Sequence, residues 1–165
     1  MEFMANPQPK PEVIELYDRA TYFRGRYISG YAQCEYLLAD LSLRVDNRFR
    51  YALDKRVKAA NLMAEQKGRL NAYADDFVPL ISHIHTYSDR RHWLVHGFMT
   101  VITDPKGMNL IELRRYELEA GEAKPSDLRW IVTLGDLQDA AEAITMYAQA
   151  FVVLHSRIYK DLKLD

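Results

Sequence analysis

The residues with the widest chemical reach lie together, in the stretch Arg90-Arg91-His92-Trp93-Leu94-Val95-His96-Gly97. A histidine titrates near pH ~6.5, so its ring can give or take a proton around neutrality. An arginine stays cationic and presents a planar fork that matches phosphate oxygens. The two together suit phosphodiester chemistry that needs no metal. His92 and His96 stand at i, i+4 and would share one helical face, a spacing that also serves metal ligation. No third ligand accompanies them at a fitting interval, and His83 and His85 point to other faces. Neither a metal nor another cofactor is therefore expected. The structural alternative is simpler: Arg91 would pair with an acidic residue of the first helix, Glu35 or Asp40, and His96 would cap its own helix.

Spacing sets a condition on the chemistry. Five residues along an α-helix turn a side chain by about 140°. Arg91 and His96 cannot share a face if the helix stays regular through His96. Either the helix ends there and lets His96 swing round, or the two groups act from different subunits.

A second cluster, Arg44, Arg48, Arg50, Lys55, Arg56 and Lys58, is interleaved with Phe49 and Tyr51. Lysine and arginine neutralise phosphates, and aromatic rings stack on unpaired bases, so Arg48, Arg50, Lys55 and Arg56 are candidate RNA-binding residues together with Arg90. The plainer reading is a solvated loop and helix start.

Helices must position these groups. Tyr27, Tyr31, Cys34, Leu38, Leu41 and Val45 recur at alternating spacings of four and three, which predicts a helix from about Ile14 to Val45. Gly25 and Gly30 weaken it, each by about 1 kcal/mol relative to alanine, and leave room for a kink or a division into two. A connection over Asp46 to Tyr51 leads to a second helix, Leu53 to Gln66, stopped near Gly68. Phe77, Ile81, Ile84, Ser88, Arg91, Val95 and Phe98 then predict one helix from Leu70 to His96 with Arg91 on its apolar stripe. Pro79 sits awkwardly inside it, and Gly97 is placed to take the left-handed conformation that ends helices. Phe98–Thr103, Met108–Tyr116 and Leu128–Leu134 have strand composition, with Asp104-Pro105-Lys106-Gly107 as a turn. The last helix is expected to start at Asp136 as N-cap and to run to about Leu162. The fold expected is mainly α: an antiparallel bundle of four to five helices with a small antiparallel β meander before the last one. A single domain over residues 13–165 follows a disordered arm at residues 1–12.

A long helical unit that ends in Arg91-His92-(Trp93-Leu94-Val95)-His96, followed by glycine, resembles the HEPN superfamily. Its motif is arginine, four to six residues, then histidine, with Asn, Asp or His commonly after the arginine. His92 supplies that polar follower. Arg90 to His96 meets the looser spacing but lies off the apolar stripe. The local match spans about eight residues, and the helix order extends it more weakly over residues 14–165. The resemblance implies a metal-independent endoribonuclease acting as a homodimer, whose two motifs meet in one cleft. In it His96 would do acid/base work and Arg91 would clamp phosphate, with His92 beside them. It also implies RNA as substrate, an antitoxin protein as partner, and a toxin–antitoxin or phage-defence setting. A non-catalytic scaffold with the same fold is the rival expectation. Some HEPN toxins carry, two residues after the motif histidine, a tyrosine that a partner nucleotidyltransferase modifies. Here that residue is Phe98, which has no hydroxyl, so control of that kind is not expected.

Bulk properties bound these readings. Twenty-two Lys and Arg nearly cancel 23 Asp and Glu, so any attraction for RNA must come from a local patch. The single cysteine, Cys34, excludes an internal disulfide, suits a reducing cytoplasmic setting and reads as a buried thiol. No apolar run approaches the ~18 residues that span a bilayer, so no membrane association is expected. The proline-bearing start, without a hydrophobic segment, does not read as a secretory leader. Eleven tyrosines offer amphipathic contact surface suited to dimerisation, and Trp93 reads as interface packing.

Overall fold

The computed structural model describes residues 8–46, 69–118 and 123–164 of the chain. Helix α1 spans Pro11–Leu41 and passes into a π-helical turn at Ser42–Asp46. After a 3₁₀ turn at Asn71–Tyr73 come α2 (Ala74–Thr86) and α3 (Ser88–His96). Strands β1 (Phe98–Thr103), β2 (Asn109–Glu117) and β3 (Ser126–Val132) form an antiparallel sheet in that order, and α4 (Leu134–Leu162) closes the fold. The architecture is mainly helical, with four helices among the described residues and the small sheet before the last. The expected helix over Leu53–Gln66 lies outside the described residues.

α1 starts earlier than expected because Pro11 presets φ at the first helical position, where no amide partner is needed. Residues 11 and 12, expected in the arm, thus belong to α1. Gly25 and Gly30 do not divide the helix. At Gly30 the reason is packing: a Cβ there would come within 3.3 Å of Ile144 Cγ2, so the glycine lets α1 and α4 approach closely. Tyr27, Tyr31, Cys34, Leu38 and Leu41 are buried on that inward face. Burial pushes the Cys34 thiol up to about 12, with the Glu35 charge adding to the shift, so the group is an inert apolar filler.

Contacts set the helix directions. Gly30 meets Ile144 and Asp40 meets His155 and Tyr159, so α1 and α4 run the same way. Phe77 packs edge-on against Phe151, and His83 stacks on Tyr147, so α2 runs opposite to α4.

The long helix expected over Leu70–His96 is instead α2 and α3, broken at Tyr87 (φ −92°, ψ 0°). The Tyr87 carbonyl accepts the Tyr27 hydroxyl at 2.6 Å, and the Tyr87 amide bonds back to Ile84. Pro79 lies within α2 and does not mark its start. The break resets the helical phase. Phe77, Ile81 and Ile84 stay buried, but beyond Tyr87 the buried residue is Leu94, and Phe98 stands in solvent. Arg91 accordingly leaves the apolar stripe and is about one-third exposed.

In the sheet, Met99, Ile111, Leu113 and Val132 face the helices. Asp104 closes the β1–β2 turn, its carboxylate accepting the amides of Lys106 (2.9 Å) and Met108 (2.8 Å), and Gly107 takes φ 83° as the turn requires. α4 begins two residues before the expected cap. Thr133 is the N-cap, and Asp136 is the third helical residue, completing a reciprocal capping box.

Where α1 and α4 end together, Asp40 accepts His155 Nε2 at 2.9 Å and the Tyr159 hydroxyl, with Arg44 at 3.6 Å. Burial alone would raise the Asp40 carboxyl, but the hydrogen bonds from Tyr159 and His155 and the adjacent cations outweigh it. The carboxyl is held below its ordinary value. A depressed folded-state value adds stability above the unfolded pKa of ~3.9, and that stability is lost as pH falls through the folded value. Asp40→Asn is expected to cost about 2 kcal/mol at pH 7 and to flatten the acid limb of urea unfolding below pH ~4. An unchanged acid limb would remove Asp40 as its source.

Candidate functional site between α3 and the sheet

α3 has nine residues, too few to be stable alone, so its neighbours must hold it in place. At its start Tyr27 binds the Tyr87 carbonyl. At its end Arg24 of α1 donates to three carbonyls: Nε to Leu94 at 2.5 Å, and a terminal nitrogen to Gly97 at 3.1 Å and Val95 at 3.4 Å. These are the acceptors a helix C-terminus leaves unpaired, and a guanidinium also complements the negative end of the dipole. Neither partner was legible in the sequence, because Arg24 lies 70 residues from Leu94.

Gly97 ends α3 in an extended conformation (φ −74°, ψ 135°), not the expected left-handed one. Glycine is needed for space instead. A Cβ would lie 2.6 Å from the Trp93 carbonyl oxygen and 3.1–3.3 Å from the Leu113 side chain. The chain thus turns from α3 straight into β1, and His96 stands at the corner.

α3 stays helical through His96, so Arg91 and His96 leave it about 140° apart. Arg91 faces α1, with a terminal nitrogen 3.6 Å from Glu35 Oε2. His96 is exposed and opens instead into a cleft of about 400 Å³ with Phe98, Arg114, Arg115, Tyr116 and Asp127. His92 lies 4.9 Å from His96, centroid to centroid, and lines an adjoining hollow of about 590 Å³ with Ser88, Asp89, Trp93, Arg115 and Glu117. Arg90 and Arg91 line neither; Arg90 lies over the Tyr87 ring at 5.2 Å. The candidate RNA-binding residues Arg48, Arg50, Lys55 and Arg56 lie outside the described residues, as do Phe49, Tyr51 and Lys58.

Arg115 joins the two hollows. Its guanidinium stacks 4.4 Å above the Trp93 ring, which in turn packs 6.1 Å from Trp130. One terminal nitrogen donates to Glu117 at 2.7 Å, while Nε and Nη1 are buried with no hydrogen-bond partner among the described residues. Arg114, on the opposite face of the strand, donates to Asp127 at 2.5 Å, and Arg129 stands 3.6 Å from the same carboxylate. The Arg114 contact holds the Asp127 carboxyl below its ordinary range. The arginines beside His96 therefore come from β2, not from the helical motif. The adjacent pair Arg114-Arg115 was the sequence signal for them, since neighbouring strand residues face opposite sides.

A further groove of about 580 Å³ between α2 and α4 is mostly apolar, and its charged pair, Asp76 and Arg157, is joined across it. It offers no comparable set of cations beside an imidazole. Among the described residues no three His, Cys, Asp or Glu side chains converge as metal ligands, and no helix is long and apolar enough to cross a membrane.

Compared with known proteins, the chain matches no family model, no curated protein and no solved structure.

Two substitutions test how the corner is built. Arg24→Ala leaves partly buried carbonyls unpaired and is expected to cost about 1–3 kcal/mol in urea unfolding. Gly97→Ala must push α3 away from Leu113 and is expected to cost about 1–3 kcal/mol. Wild-type stability in Arg24→Ala would show that its hydrogen bonds are dispensable, and in Gly97→Ala that the corner has room for a side chain.

Proposed function

We propose that the chain is a HEPN-like, metal-independent endoribonuclease that acts as a homodimer. The observation that carries this reading is His96, exposed at the mouth of an open cleft beside Arg114 and Arg115. In the proposed step the ribose 2′-hydroxyl loses its proton and attacks the adjacent phosphorus. The 5′-oxygen leaves with a proton, giving a 2′,3′-cyclic phosphate and a 5′-hydroxyl. His96 serves one proton transfer, and His92, 4.9 Å away, lies close enough to serve at the same phosphate. Arginine stabilises the charge that builds on the phosphoryl oxygens.

Arg91 enters this scheme only across an interface. On one helix it diverges from His96 by about 140°, so the two can meet at one phosphate only when a second subunit presents its own motif. A toxin–antitoxin or phage-defence role, with an antitoxin protein as partner and a cytoplasmic location, belongs to the same reading. It is supported by the motif, and the single buried Cys34 is compatible with the location.

One observation favours a second reading. The contact between Arg91 and Glu35 gives the arginine a structural role within one chain. A non-catalytic interaction domain of the same fold would need no more than that.

RNA incubated with the protein in excess EDTA separates the two. Cleavage to 2′,3′-cyclic ends is expected, reduced about 10²–10⁴-fold in His96→Ala and strongly in Arg91→Ala. Mixing these two inactive variants should restore roughly a quarter of wild-type activity, because half of a random pairing carries one intact composite site. A well-folded dimer that cleaves no RNA would leave the scaffold reading. Activity in His96→Ala equal to wild type would remove the assigned residue.

A further inference from the structure

The outer face of the sheet carries two large rings in water beside His96. Strand alternation places Phe98 of β1 and Arg114 and Tyr116 of β2 on the same side, away from the helices. The register sets Phe98 directly opposite Arg114 and Tyr116 opposite Asp127. Tyr116 is then the diagonal neighbour of Phe98, about 7–8 Å away along the sheet. Both rings are 73% exposed, and Ile131 of β3, half exposed, extends the same face. Aromatic side chains on a sheet are ordinarily covered by cross-strand neighbours or by another layer. Here both also line the cleft that His96 and two arginines share.

We propose that Phe98 and Tyr116 form a stacking platform for unpaired bases of single-stranded RNA, with Arg114 between them meeting the backbone. The proposal rests on the ribonuclease reading for its choice of RNA, and it adds the substrate's form. Charge selects the occupant. Two guanidinium groups line the cleft against one lining carboxylate, Asp127, with Glu117 paired to Arg115 from the adjoining hollow. The partly exposed Arg114–Asp127 pair is open to an incoming phosphate, so the site favours an anionic partner over a second apolar face. A flexible anionic chain with flat π-faces uses both features at once: the bases stack on the rings while phosphates approach the guanidinium groups. Duplex RNA hides its base faces and cannot use the rings. A single strand laid over Phe98 would pass His96 two residues away, which brings a phosphate to the imidazole.

The test uses a short fluorescent 2′-O-methyl oligouridine, which lacks the attacking hydroxyl and so reports binding without cleavage. Wild-type protein is expected to bind it, with a duplex of the same length binding at least about tenfold more weakly. Phe98→Ala and Tyr116→Ala should each weaken the single strand about tenfold, while Phe98→Tyr and Tyr116→Phe stay near wild type. Both rings are outside the core, so circular dichroism and unfolding should not change. Binding of this probe by wild-type protein that cleaves no unmodified RNA would remove the nuclease and leave the platform standing. No binding by wild type, or undiminished binding by both alanine variants, would overturn the platform. So would a fall to monomers in those variants with RNA affinity unaltered, because the face would then be a contact between copies of the chain.

Discussion

The geometry of the candidate site hangs on hydrogen bonds from α1 to the two ends of α3. A nine-residue helix has no independent stability in water, and its terminal carbonyls are acceptors without partners. Tyr27 binds the carbonyl at the break before α3, and Arg24 binds three at its end. α3 is thereby held against the longest helix of the fold, and that helix is fixed in turn by its packing along α4. His96 inherits its position from this chain of contacts. The tight fit of Gly97 against Trp93 and Leu113 then fixes the angle at which the backbone leaves for the sheet.

Much of the architecture was legible in the sequence, and the failures that bear on the site share one cause. α1, α4 and the three strands have strong periodicity or composition over many residues, and the structure has them within a few residues of the expected bounds. The turn at Asp104–Gly107 follows from local chemistry alone. What sequence could not show is contact over long separations. Without the Tyr27 hydroxyl, 60 residues away, the run from Phe77 to Phe98 reads as one unbroken stripe. Its break moves Arg91 off that stripe and places Phe98 in water. The same limit hid Arg114 and Arg115: as residues of a strand they carried no motif, and only the β2 register brings them to the end of α3. Of the two candidate partners for Arg91 on the first helix, Glu35 stands 3.6 Å from it, while Asp40 is bound by His155 and Tyr159.

The electrostatics reconcile a chain of nearly zero net charge with a cationic cleft. Arg114, Arg129 and Asp127 form a cross-strand network open to solvent, which the buried Glu112 joins through Arg129. Pairs this open to solvent contribute little to stability. An arriving phosphate can replace a carboxylate contact there at modest cost. Arg115 is different: most of its side chain is buried, its plane is fixed on Trp93, and its pairing with Glu117 leaves two nitrogens without partners among the described residues. Its burial makes it a fixed feature of the wall between the two hollows, while Arg114 is the cation able to move.

Helical spacing then divides the motif between two surfaces. The face bearing Arg91 looks toward α1, and the face bearing His92 and His96 looks toward the sheet and solvent. A helix held as α3 is held cannot rotate to unite them without breaking the bonds from Arg24. If both residues act on one substrate, the uniting element must therefore be another copy of the same chain. In a twofold pair each subunit would contribute the same surfaces, so the arginine that one subunit turns away from its own cleft can stand at the other's. If no such pair forms, β2 already supplies a cation beside His96, and Arg91 is left with the structural task of joining α3 to α1. The position of one guanidinium relative to one helix thus decides between a shared site and a scaffold.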